Sequence, residues 1–131
     1  IPLPDGCAVE VLAVHLVEHV FAWEVPELLA EWHRLLKSGG ALVLELPAAM
    51  KCARNLVNGV QGRKPDQLHM WGLYGDDTLR DPFMMHKAGW WFARLAPVVQ
   101  AAGFVDVVER ETQFHPAGRG VRDFRLEALK P

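Results

Sequence analysis

The stretch EWHRLLKSGGALVL, residues 31–44, decides how this chain is expected to fold. Its first half belongs to an amphipathic helix, because apolar residues recur at helical spacing: Leu28, Leu29, Trp32, Leu35 and Leu36. Gly39 and Gly40 can adopt positive φ and are predicted to end that helix. The almost wholly apolar run that follows, at 41–46, predicts a strand buried on both faces of a parallel sheet.

The rest of the chain continues this alternation of strands and helices. The predicted elements are, in order, a strand at 9–14, the helix at 26–37, a strand at 41–46, helices at 48–60 and 91–102, and strands at 104–112 and 121–129. The last two strands are joined by a turn at 115–118, so one of them must run antiparallel. The order predicts an α/β fold with a mainly parallel sheet and an antiparallel C-terminal hairpin. We expect a single domain, 1–131, with a long loop inserted at about 62–89.

Composition excludes several classes of function. Half of the 131 residues are hydrophobic and 23% are charged, which suits a globular domain with a core. A net charge of −2 gives no electrostatic footprint for nucleic acid. We expect no signal peptide, no apolar run of the sequence is long enough to span a bilayer, and two widely spaced cysteines suit a reducing compartment. We therefore expect a cytoplasmic protein without nucleic-acid or membrane partners.

Three segments together carry a family resemblance: LVEHV at 16–20, the helix–glycine–strand stretch at 31–44, and AGF at 102–104. In this order they resemble the C-terminal half of the class I S-adenosylmethionine-dependent methyltransferases. The resemblance implies a partial Rossmann-like sheet, with methyl transfer from S-adenosylmethionine to a small-molecule acceptor as the parent reaction. It does not identify the acceptor.

The cofactor-binding features of that family have no counterpart in this sequence. The family's glycine-rich turn, GxGxG, occurs nowhere in the chain. Where the family usually has an aspartate before an apolar strand, this chain has Val9 beside Glu10, and we interpret Glu10 as a solvated charge. The expectation is a truncated methyltransferase-like domain that is inactive and binds no cofactor alone. The alternative is an interaction or oligomerisation domain that reuses the half-fold.

The candidate site follows the first strand, because ligands of open α/β sheets bind outside the carboxyl ends of the strands. By position, the resemblance assigns His15 and Leu16 to cofactor contact and His15 and His19 to catalysis. His15 could serve as a general base, since imidazole titrates near neutrality. The alternative is that both histidines only hydrogen-bond to loop backbone.

Aromatic residues interleaved with histidine mark the predicted loop at 62–89 as a second candidate region. Trp71, Tyr74 and His86 could form a lid over a small or polar acceptor. The alternative is that the aromatic side chains only pack the loop onto the sheet edge.

Residues 15–19 also spell H-x-x-E-H, a zinc-protease motif in which two histidines four apart on a helix share a metal. A second alternative is therefore a zinc hydrolase through His15, Glu18 and His19. Since an apolar strand leads directly into the motif, we expect no bound metal.

The strand edge near Val9–Val14 predicts self-association. In the resembling family, this strand pairs with a strand that has no counterpart here. Unpaired backbone groups along an apolar edge favour pairing with another chain. We therefore expect a homodimer through this edge.

Overall fold

A four-stranded sheet forms the centre of the computed structural model, which describes residues 1–58, 65–114 and 122–131. The strands lie in the order β1-β2-β4-β3. In chain order they are β1 (Ala8–Val14), β2 (Leu36–Pro47), β3 (Val105–Arg110) and β4 (Asp123–Leu129). β1 pairs with β2 in parallel, whereas β4 runs antiparallel to both β2 and β3. Three of the four described strands thus point one way, which confirms the predicted α/β sheet with a reversed C-terminal strand.

Four α-helices accompany the sheet in the described ranges. They are α1 (Val25–Leu35), α2 (Ala49–Val57), α3 (Pro65–Tyr74) and α4 (Phe92–Ala101). Short 3-10 helices lie at Val17–His19, Asp77–Leu79 and Pro82–Met84. The predicted turn at 115–118 lies outside the described residues.

The core lies between one face of the sheet and helices α1 and α4. α1 contributes Leu29 and Trp32 to this core, and α4 contributes Leu95 and Val99. The sheet contributes alternate residues of its two central strands: Leu42, Leu44 and Leu46 from β2, and Phe124, Leu126 and Ala128 from β4. This alternation is the two-residue period of strands, which turns every second side chain toward the helices.

The glycine pair does not end α1 as predicted. The helix already ends at Leu35, because Leu36 adopts an extended conformation and is fully buried in the core. Gly39 and Gly40 instead lie within β2, where the register with β1 shifts between Ala8 and Glu10. Gly39 has a φ of +74°, and a Cβ on Gly40 would lie 2.8 Å from a backbone oxygen. Tertiary burial of one leucine therefore outweighs the helical pattern, and the glycines permit the irregular strand pairing.

The segment predicted as a loop at 62–89 contains more regular structure than expected. α3 occupies Pro65–Tyr74, followed by the 3-10 helices Asp77–Leu79 and Pro82–Met84. The aspartates that precede these two short helices cap them: Asp76 accepts from the Thr78 amide and Asp81 from the Phe83 amide. α3 contacts α2. Its weak amphipathic pattern explains why helical periodicity did not predict it.

Within the described ranges, no helix is both long and apolar enough to cross a bilayer.

Candidate functional site

Polar groups converge where the chain leaves the carboxyl ends of β1 and β2. β4 begins at the same edge, because it runs antiparallel and pairs Asp123 with Pro47. The 3-10 helix Val17–His19 follows β1 at this edge. This is the location at which open α/β sheets bind ligands.

His15 occupies the centre of this arrangement. It has a φ of 51°, which is uncommon for a residue other than glycine, and its backbone amide donates to the Glu45 carbonyl at 2.8 Å. Its Nδ1 lies 2.9 Å from Oε1 of Glu18, and its Nε2 lies 3.3 Å from Oδ2 of Asp123. Strained backbone of this kind clusters at functional sites, so the geometry supports a role beyond packing.

The two buried carboxylates set the charge of His15. Burial by itself lowers the pKa of His15, but hydrogen bonds to Asp123 and Glu18 outweigh it and raise the pKa to about 9. Burial would raise the pKa of Asp123, but its bonds with His15 and Arg122 hold that pKa below its usual value. His15 is therefore protonated at neutral pH and donates through both ring nitrogens.

Arg122 and Lys51 complete the surroundings of Asp123. Nε of Arg122 donates to Oδ1 of Asp123 at 2.6 Å, and both side chains are almost fully buried. Nζ of Lys51 donates to the backbone oxygen of Asp123 at 3.0 Å. The start of β4 is thereby fixed to the site.

The segment after the last 3-10 helix brings His86 to the same place. The backbone oxygen of Glu18 accepts from the amides of Lys87 and Ala88, at 2.8 and 3.2 Å. Nε2 of His86 lies 4.0 Å from Oε1 of Glu18. The His86 ring meets the His19 ring edge to face, with centroids 4.9 Å apart. Burial lowers the pKa of His86.

A cavity of about 380 Å³ opens between these groups. Its walls include His15, His19, Trp71, His86 and Arg122. A larger groove of about 780 Å³ lies beside Lys51, Glu109 and Thr112. We take the smaller cavity as the candidate site, because the histidines and the strained backbone lie there.

The structure brings most of the predicted site residues together. Four of them line the same cavity, although up to 71 positions separate them in the sequence: His15, His19, Trp71 and His86. Tyr74 instead lines an adjacent cavity of about 440 Å³, and Leu16 is an exposed residue between β1 and the 3-10 helix. The exposed position of Glu10 in β1 agrees with its interpretation as a solvated charge.

Sequence reasoning missed Arg122 and Asp123 as site residues. Both are charged yet nearly fully buried. Adjacent opposite charges at the start of an apolar strand are the feature that could have identified them, since charges are rarely buried without partners.

The H-x-x-E-H residues do not have the geometry of a helical zinc motif. His15 follows a β-strand, and the 3-10 helix that carries Glu18 and His19 is three residues long. No α-helix of the described chain runs through both histidines, so the arrangement gives the hydrolase alternative no support.

The described residues show no glycine-rich turn at the start of a helix that could hold S-adenosylmethionine. In Rossmann-like α/β folds, a glycine-rich turn presents the amides at a helix N-terminus to the cofactor. Here the turn after β1 contains His15 and leads into one 3-10 turn, and the chain has no glycine-rich sequence of that kind.

A family model described as "Methyltransferase domain" matches residues 1–44. No curated protein sequence matches the chain.

Solved structures share the fold over nearly the whole chain. A SAM-dependent methyltransferase from Archaeoglobus fulgidus is 19% identical with a TM-score of 0.62, over 98% of this chain and 62% of that one. The PH0226 protein from Pyrococcus horikoshii is 12% identical with a TM-score of 0.65, over 100% of this chain and 55% of its own. A Burkholderia thailandensis 1,6-didemethyltoxoflavin-N1-methyltransferase, solved with 1,6-didemethyltoxoflavin and S-adenosylhomocysteine, is 16% identical with a TM-score of 0.61. That match covers 96% of this chain and 45% of the enzyme, so this chain spans less than two thirds of each of these structures.

Proposed function

We propose that this chain, a class I S-adenosylmethionine-dependent methyltransferase-like domain, forms the acceptor side of an enzyme that methylates a small molecule. The proposal includes a second part: the chain is inactive alone and requires a glycine-rich cofactor-binding half to complete the site. The family match at residues 1–44 and the shared fold support the methyltransferase class. The missing GxGxG turn supports the need for a second half.

The observation that carries the acceptor role is the cavity at the carboxyl ends of β1 and β2. Its volume of about 380 Å³ lies within the range of small-molecule sites, and its wall combines one indole with several polar groups. Such a surface suits a small, partly aromatic or polar acceptor. The part played by the chain in methyl transfer is then to hold the acceptor in a reactive orientation.

Trp71 provides a test of the acceptor cavity. In the protein encoded by the whole reading frame that contains these residues, we expect Trp71→Ala to lower kcat/KM for methyl transfer by about tenfold or more. The reason is the loss of an apolar wall that the acceptor contacts. The measurement is release of S-adenosylhomocysteine with a panel of small phenols, amines and carboxylic acids.

Trp23→Ala is the matched control, because Trp23 is 73% exposed, stacks on Phe21 and is not part of the cavity wall. Its kcat/KM should stay at the parent value. Equal losses in both variants, or no methyl transfer by the longer protein to any of these acceptors, would contradict the proposal.

We further propose that the chain forms a homodimer through the edge of β1. In the described part of the sheet β1 is an outer strand, with β2 as its neighbour. Val9 and Leu12, both in β1, are 64% and 45% exposed. Pairing of two β1 edges would satisfy the unpaired backbone groups and place side chains of the second copy beside Val9 and Leu12.

Leu12→Lys should shift the chain from dimer to monomer in light scattering after size exclusion. Two lysines brought close across the new strand pair would repel each other. Val57→Lys is the matched control, because Val57 is exposed at the end of α2 and should leave the dimer intact. A parent chain with a monomer mass at every concentration would exclude the dimer.

A further inference from the structure

Three potential metal ligands lie together beside the acceptor cavity. Glu18, His19 and His86 each place one ligand atom within 4.8 Å of the others. Glu18 and His19 are neighbours in the 3-10 helix after β1, whereas the fold brings His86 to them from the segment before α4. We propose that these three side chains bind a divalent first-row transition-metal ion.

The Glu18 carboxylate provides an independent indication of a cation site. Its side chain is almost fully buried, with 1% of the residue exposed. Oε1 accepts from Nδ1 of His15, but Oε2 is buried without a hydrogen-bond partner among the described residues. A buried carboxylate oxygen without a partner costs free energy, which a bound cation would offset.

The ring orientations of both histidines suit metal binding. Nδ1 of His86 lies 3.2 Å from the backbone oxygen of Gly72, and Nδ1 of His19 lies 3.2 Å from that of Met85. A carbonyl oxygen can only accept, so each Nδ1 carries the proton and each Nε2 presents a lone pair. A hydrogen bond from the second ring nitrogen to a carbonyl is the usual arrangement around metal-bound histidines.

Backbone hydrogen bonds hold the three ligands on a fixed frame. The Glu18 oxygen accepts from the amides of Lys87 and Ala88, directly after His86. The His86 amide donates to the Tyr74 oxygen at 3.1 Å, which ties the same segment to the end of α3. The cluster therefore does not depend on long, freely rotating side chains, and a preorganised site costs less to order on binding.

The donor set favours zinc or a neighbouring ion such as cobalt over magnesium or calcium. Imidazole is a preferred ligand of first-row transition ions, whereas magnesium and calcium prefer oxygen ligands throughout. Zinc binds nitrogen and carboxylate oxygen at about 2.0–2.2 Å, so ligand atoms separated by up to 4.8 Å must move inward by up to roughly 1 Å. Three protein ligands leave coordination positions open, and His19 and His86 both line the cavity in which an oxygen or nitrogen of a ligand could fill one.

The expectation that the chain binds no metal was based only on the donors of the H-x-x-E-H motif. This proposal replaces that expectation. His15 is not part of the proposed site, since both of its ring nitrogens lie against carboxylates. The test of this proposal is also separate from methyl transfer, because it measures ion binding by the chain and needs no acceptor or cofactor.

The test uses the chain after treatment with a chelator and dialysis, with Zn²⁺ and Co²⁺ as probes. We expect one zinc per chain by calorimetric titration and elemental analysis, and a higher melting temperature with zinc. Co²⁺ should give visible absorption bands of a four- or five-coordinate ion. His19→Ala and His86→Gln should each weaken zinc binding by at least about tenfold.

His33→Ala is the matched control, because His33 packs against Phe104 away from the cluster. It should bind zinc with the parent affinity. Circular dichroism establishes whether each variant is folded. His19 is only half-buried, so the His19→Ala variant still tests the proposal if substitution of the more buried His86 prevents folding. The proposal is overturned if the parent chain takes up no zinc, if folded His19→Ala keeps the parent affinity, or if His33→Ala loses as much as the ligand variants.

Discussion

Replacing Glu45 by alanine is expected to lower the free energy of unfolding by about 3–5 kcal/mol, the usual cost of removing one partner of a buried ion pair. The Glu45 side chain is fully buried near the carboxyl end of β2. Its carboxylate accepts from the backbone amides of Gln113 and Phe114, at 2.8 and 3.0 Å. Oε2 also lies 3.6 Å from Nη1 of Arg125. Alanine would leave the buried guanidinium without this partner and two amides without an acceptor.

Urea or guanidinium denaturation followed by circular dichroism measures this change. Glu127→Ala is the matched control, since Glu127 binds the same arginine at 2.7 Å but its side chain is 34% exposed. The control should cost no more than about 1 kcal/mol, because water screens a partly exposed pair. Equal losses in the two variants would show that burial of Glu45 is not what makes it important.

Phe124→Ala should lower the free energy of unfolding by a similar amount, about 3–5 kcal/mol. Phe124 is 1% exposed in β4 and belongs to the core beneath α1 and α4. Its truncation removes buried apolar surface and leaves a cavity that neighbouring strands cannot close. The measurement is the same denaturation experiment, with the urea midpoint as readout.

Phe83→Ala serves as its control, because Phe83 is 80% exposed in the 3-10 helix Pro82–Met84. Substitutions at exposed positions usually change stability by no more than about 0.5 kcal/mol. A loss at Phe83 as large as that at Phe124 would contradict the placement of the core on the α1 and α4 side of the sheet.

The regular part of the fold was predictable because burial and local pattern agree there. The run 41–46 is apolar except for Glu45, and it lies in β2, one of the two central strands. α4 was predicted at 91–102 and extends over Phe92–Ala101, again because its apolar face follows helical spacing. Local pattern was insufficient where tertiary contacts dominate, as at Leu36, where burial in the sheet ends α1 before the glycines.

The candidate site was predictable only in part, because it is assembled from distant segments. The end of β1 identified His15 and His19 through the general position of ligand sites in α/β sheets. Nothing in the local sequence places His86 beside Glu18, since backbone hydrogen bonds from Lys87 and Ala88 create that contact. Asp123 reaches His15 only because β4 lies next to β2, a pairing set by the topology of the whole sheet.

Calorimetric titration with S-adenosylmethionine tests the central claim most directly. The claim is that these residues form an acceptor side that lacks its own cofactor-binding turn. We predict no measurable binding to the 131-residue chain, and micromolar binding to the longer protein if its reading frame supplies a GxGxG strand–turn–helix. Micromolar affinity of the 131-residue chain by itself would contradict the account.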